Sequence, residues 1–241
     1  MPRSAYRAKP RKTQQEGFLG RLLDPIDRLS ETIFSVLILL TFTLAYLILR
    51  VGTEPLEPIS AGYLLGLAVA ALGAIFAWGL IDGVVYVLLA VLERGEKHRF
   101  LARIQTSPTR EEGLKAVAEE LDFILEPITG EGQRRLLYED VLDHLRDSRP
   151  QTVTLTRDDL YGGLGCVLIA VLSVLPSLLS LVLLRDHYWI ALRVSNLISV
   201  GVLFYTGYQW GRYSGSGPIK TGLLLASIGL LLAGIAIPLG G

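Results

Sequence analysis

The sequence predicts an all-α membrane protein: five transmembrane helices, with a small helical cytosolic insert between the second and the third. Three observations predict it. Apolar residues make up 51% of the 241 residues and gather in blocks of membrane-spanning length. Charged residues concentrate outside those blocks, above all in Glu93–Asp159. Lys and Arg also fall on alternate connections, as a polytopic protein requires.

Residues 1–28 read as a basic arm, with seven basic against three acidic residues. Pro2–Gln15 is too polar for a signal peptide and is expected at the anionic inner membrane surface. Residues 29–92 hold the first two spans, Ile33–Arg50 and Leu64–Leu92, the first interrupted by Thr41 and Thr43. Residues 160–241 hold the other three, Leu164–Leu184, Tyr188–Trp210 and Leu223–Leu239. Lipid offers the backbone no hydrogen bonds, so each span must be helical.

Gly52–Ser60 has no Lys or Arg, whereas Glu93–Asp159 has eleven, and Arg212 and Lys220 flank the last short loop. Five crossings then put the N-terminus in the cytoplasm and the C-terminus outside. Compact loops suggest a prokaryotic plasma membrane. Tyr188 and Trp189 at one end of the fourth span, and Tyr208 and Trp210 at the other, suit the two interfaces. Arg193 lies about one turn into that span and can snorkel outward. Ser195, Asn196 and Ser199 suit hydrogen bonds between helices.

The net charge of zero hides this asymmetry. The lone Cys166 leaves no disulfide framework and no thiolate metal site, and is expected as a small packing residue. No Ser in a span has a His placed to serve it, and no zinc-protease motif is present, so an enzyme is not expected. No nucleic-acid partner is expected either; the partner is the bilayer.

One residue breaks the apolar pattern. Asp82 lies in a run that is otherwise apolar or small from Ala61 to Leu92. An ionisable group inside a membrane helix is costly and reads as functional by default. The alternative is an Asp near the surface, hydrated or neutralised by Arg28 or Arg21.

The insert, residues 93–159, predicts two helices. One runs from Pro108-Thr109 to Leu125, with Leu114, Val117, Ala118, Leu121 and Leu125 as its apolar stripe. The other runs from Gly132 to Arg146 and buries Leu136, Leu137, Val141, Leu142 and Leu145. Glu93 and Glu96 follow the second span, and Glu112 and Glu119 lie on the first insert helix. Glu139 and Asp143 are four apart on the second, as are Asp140 and His144, so each pair shares a face. Such oxygen and imidazole groups can bind a divalent cation. They equally suit a solvated surface paired with Arg134, Arg135 and Arg146.

The last third of the chain carries a more specific pattern. It reads Ala191-Leu192-Arg193-Val194-Ser195, then Leu203-Phe204-Tyr205-Thr206-Gly207-Tyr208 and Gly211-Arg212-Tyr213-Ser214-Gly215. Pro218-Ile219-Lys220-Thr221-Gly222-Leu223 and Ser227-Ile228-Gly229 follow. This resembles the last two helices of the vacuolar iron transporter family. Pro176, Gly66-Leu67-Ala68 and Gly73-Ala74-Ile75 are similar to that family's third and second helices. In Asp24-Pro25-Ile26-Asp27-Arg28-Leu29-Ser30-Glu31, Asp27 and Glu31 resemble the acidic pair at the cytosolic entrance of the family's pore.

The resemblance implies a homodimer joined through the first two helices, exporting Fe(II) or Mn(II) from the cytosol. It implies no resident cofactor; the metal is the substrate. The family's intramembrane Asp, Glu and Met fall at Ile38, Val69 and Ala77, and the only Met is Met1. The inherited ligands are therefore absent. Glu31 lies seven residues from Ile38, and Asp82 five from Ala77, both toward the cytosol. At about 1.5 Å per residue, both carboxyls stand roughly 7–11 Å from the lost site and at similar depth. With Asp27 they would form an acidic mouth for metal or protons. The competing expectation is a membrane-anchored relative that transports nothing, its insert binding metal or a partner.

Overall fold

A computed structural model describes residues 23–53, 61–149 and 152–236. Among the described residues there are seven helices and no strand. In chain order they are α1 (Pro25–Thr53), α2 (Ala61–Gln105), α3 (Arg110–Leu125), α4 (Glu131–Arg146), α5 (Arg157–Leu183), α6 (Tyr188–Ser214) and α7 (Pro218–Ala236). Five of them, α1, α2, α5, α6 and α7, are long and apolar enough to cross a membrane. This is the pattern of a multi-pass membrane protein. The basic arm before Leu23, including Arg21, and most of Gly52–Ser60 lie outside the described residues.

The chain divides into two compact units, Met1–Tyr86 with Leu160–Gly241, and Val87–Asp159. In the first unit the main apolar cluster is drawn from α1, α2, α5 and α6, centred on Val36, Leu39, Ala71, Ile75, Val174 and Leu203. Helix α1 packs on both α6 and α7, and α6 packs along α7.

That last pairing depends on glycine. A methyl added at Gly207 would stand 2.6 Å from the Thr221 carbonyl oxygen, and one at Gly211 2.7 Å from Pro218 Cα. Bare Cα atoms let the two backbones touch, the usual device for joining helices that lipid does not drive together. The turn between them uses Gly215 and Gly217, with φ of 71° and 91°, a conformation that side chains resist. Across α5 and α6, Ser177 and Ser199 share a hydrogen bond of 2.9 Å, as expected for hydroxyls in a span. Arg193 lies over the Trp189 ring, 5.8 Å from its centre.

In the second unit, Ile104 of α2, Ala116 and Val117 of α3, and Tyr138 and Leu142 of α4 form a separate core. Thr109 caps α3, its Oγ1 accepting from the Glu112 N–H at 3.2 Å. Gln105 closes α4 by donating its Nε2 to the carbonyls of Leu145 and Ser148, at 3.2 and 2.7 Å. Leu136 and Leu137, expected on the buried side of α4, are exposed instead. Tyr138 takes their place because its face, not theirs, meets Ile104 and Val117.

Candidate functional site

Within the first unit, the chain brings one acidic residue of α1, one of α2 and the lone cysteine of α5 to a common point. A ligand atom from each of Glu31, Asp82 and Cys166 lies within 4.8 Å of the other two. Among the described residues this is the one such gathering of three or more acidic, His or Cys side chains.

Local sequence explains how each arrives. Pro25 opens α1, where its missing N–H costs nothing, so the helix begins eight residues before the apolar block. Glu31 therefore lies two turns inside a helix rather than ahead of one. Asp82 is delivered by Gly79-Leu80-Ile81-Asp82-Gly83. A methyl at Gly79 would meet Val167 Cα at 3.0 Å, and one at Gly83 would meet the Gly163 carbonyl oxygen at 2.5 Å. These two glycines press α2 against the first turns of α5, beside Cys166. Gly162 gives way in the same manner to the Tyr86 ring.

The environment is apolar and tight. Glu31 is 1% exposed and Cys166 2%, while Asp82 is partly exposed. Leu23, Ile169 and Tyr86 pack about the thiol. The Ser35 hydroxyl donates to Glu31 Oε1 at 3.5 Å, a long bond, and the buried Oε2 has no hydrogen-bond partner. Among the described residues, no ion pair joins Arg28 to Glu31 or Asp82. Asp27 lies one turn from Glu31 and is half-buried, with interactions of its own. The apolar positions Ile38, Val69 and Ala77 are not part of the gathering, and Val69 is 63% exposed.

The acidic residues of the second unit are spread out. Glu119 accepts from Arg103 at 2.9 Å and Glu139 from Arg135 at 3.3 Å. Arg110 holds Asp143 with two bonds of 2.6 and 2.8 Å, which pulls that carboxyl below its ordinary range and raises the guanidinium. Glu96, Glu112 and His144 are exposed and Glu93 half-buried. Arginines pair with Glu119, Glu139 and Asp143, and among the described residues these acidic side chains and His144 form no shared cluster. The hydroxyl of Tyr138 donates to Asp122 at 2.7 Å; burial first, and then that carboxylate, push the phenol up.

Two features of this region were not foreseen from the sequence. Cys166, expected as a small packing residue and no part of a metal site, is buried as expected but lies beside the two carboxyls. The other is the entry to α5, where Thr156 and Asp159 cap each other: Asp159 Oδ2 accepts from the Thr156 N–H at 2.8 Å, and Thr156 Oγ1 from the Asp159 N–H at 3.4 Å. Arg94 completes it with two bonds to the Asp159 carboxylate, of 3.0 and 2.5 Å. The Thr-x-x-Asp spacing ahead of an apolar run was the available signal.

No protein-family model matches the chain, and no curated protein matches it.

Proposed function

We propose that the protein carries a divalent metal ion, Fe(II) or Mn(II), out of the cytosol in exchange for protons. What supports the reading is the pairing of Glu31 with Asp82 among helices of membrane-spanning length. Two adjacent carboxylates repel strongly in such surroundings unless a proton or a cation lies between them. A group that accepts either one in turn is what exchange needs. Asp27, one turn away, extends the acidic entrance. In the same reading two chains pair through α1 and α2, covering exposed apolar side chains such as Phe34, Val69 and Phe76.

The test is Fe(II) and Mn(II) flux into proteoliposomes, with and without a pH gradient. The native chain should show gradient-dependent flux. Glu31→Gln and Asp82→Asn should each lower it at least about tenfold, since even outer-shell losses weaken metal sites on that scale. Wild-type flux in both variants would remove the pair from the mechanism. The second reading, an anchor that transports nothing, is favoured by the apolar Ile38, Val69 and Ala77. No flux from the native chain, where a control transporter works, would select it.

A further inference from the structure

We infer that Cys166 is the third donor of the Glu31–Asp82 site, so that the site takes cations that accept a thiolate beside carboxylates. Fe(II), Co(II), Zn(II) and Cd(II) belong to that class; Mn(II), Mg(II) and Ca(II) do not. The inference rests on the carboxyl pair being a cation site, and it narrows which cation.

Three observations carry it. The donor atoms come from three different helices yet lie within 4.8 Å of one another. An ion bound at about 2.0–2.3 Å holds its donors roughly 3.5 Å apart, so small side-chain movements close the set. Second, Glu31 Oε2 is buried in this cluster with no protein donor on it, and the neighbouring Asp82 carboxyl can pair with Glu31 only through a proton or a cation. A carboxylate oxygen is rarely left so, because burying it unpaired is costly. Third, Cys166 is held beside Asp82 by backbone contact at Gly79 and Gly83, not by a loose surface.

On binding, the Cys166 S–H bond breaks as the metal–sulfur bond forms, and the proton leaves to solvent. No electron is transferred, and the metal keeps its charge. A thiolate contributes a soft, polarisable donor that hard cations gain little from. Carboxylates alone would not make that distinction.

The chain has a single cysteine, so any thiolate–metal signal reports this position. The experiment is a Co(II) titration of the full chain in detergent, followed by absorption. The native protein should develop a thiolate-to-cobalt charge-transfer band in the near ultraviolet. Zn(II) or Cd(II) should abolish the band, and a large excess of Mn(II) should leave it. Cys166→Ser should lose the band and bind Co(II) at least about tenfold more weakly. Visible cobalt bands that depend on Glu31, without charge transfer, would overturn the thiolate and leave the carboxyl site standing. No cobalt bands at all would overturn both. The native spectrum decides this even where Cys166→Ser fails to fold.

Discussion

Glu31 and Tyr138 are both buried side chains ending in oxygen, and they differ in what meets them. Tyr138 donates to Asp122 at 2.7 Å, a satisfied bond that belongs to the fold of the second unit. Tyr138→Phe should cost that unit about 1 kcal/mol in urea unfolding followed by circular dichroism. The pH dependence has a definite sign. The folded phenol titrates above its ordinary value of 10.0, so its contribution is intact below that pH and is lost as pH rises through the folded value. The stability gap between native chain and Tyr138→Phe should therefore narrow above pH 10, and a constant gap would contradict the assignment. Glu31 Oε2 has no protein donor, so its burial beside Asp82 points to a shared proton or a bound cation. Both acids of the site were legible from sequence, because a carboxyl in or beside an apolar block is too costly to stand there without a partner or a ligand. Cys166 was not. A cysteine is as apolar as its neighbours, and only the meeting of three helices gives its sulfur two carboxyl neighbours.

Helices were legible wherever apolar periodicity and length agreed, and the ends less so. Helix α1 starts at Pro25 although its apolar block starts later, since helix formation needs a permissive first turn and not lipid. The crossing of α2 with α5 was hidden for another reason: a glycine looks alike in sequence whether or not something touches it. Gly73 and Gly83 make the contrast. A methyl at Gly73 meets nothing within 4 Å, while one at Gly83 would collide with the Gly163 backbone. Gly73→Ala should be neutral or stabilise by up to about 1 kcal/mol through helix propensity. Gly83→Ala should destabilise by roughly 1–3 kcal/mol, because neither backbone can yield without parting the helices. It should also weaken Co(II) binding, since it moves Asp82 from Cys166. Thermal unfolding in detergent compares the two, and equal midpoints would contradict the close approach. At the start of α5, Arg94→Ala should cost about 2–4 kcal/mol by leaving the buried Asp159 carboxylate with Thr156 alone. Co(II) affinity should not follow that loss.

At the scale of the whole chain, helix length sets the first constraint. Helix α2 has 45 residues, and at about 1.5 Å each it extends roughly twice the hydrocarbon thickness of a bilayer. Only its apolar part, ending near Leu92, can lie in lipid; Glu93, Arg94, Glu96 and Lys97 mark where it leaves. If all five long apolar helices cross, the number is odd and the two ends face opposite sides. The Lys and Arg bias predicts the sides: residues 93–159 and the α6–α7 turn inside, the α5–α6 turn outside. The lone cysteine makes this easy to check. In a Cys166→Ala background no other thiol remains, so an introduced cysteine labels alone. Asp186, Glu131 and Ser216 are exposed and lie in the α5–α6 turn, the second unit and the α6–α7 turn. In intact cells a membrane-impermeant maleimide should label Asp186→Cys. It should reach Glu131→Cys and Ser216→Cys only after the membrane is opened. Labelling of Asp186→Cys and Ser216→Cys from one side would mean that α6 does not cross. The count would then be even, the ends of the chain would share a side, and the charge bias would no longer fix which way the Glu31–Asp82 pair faces.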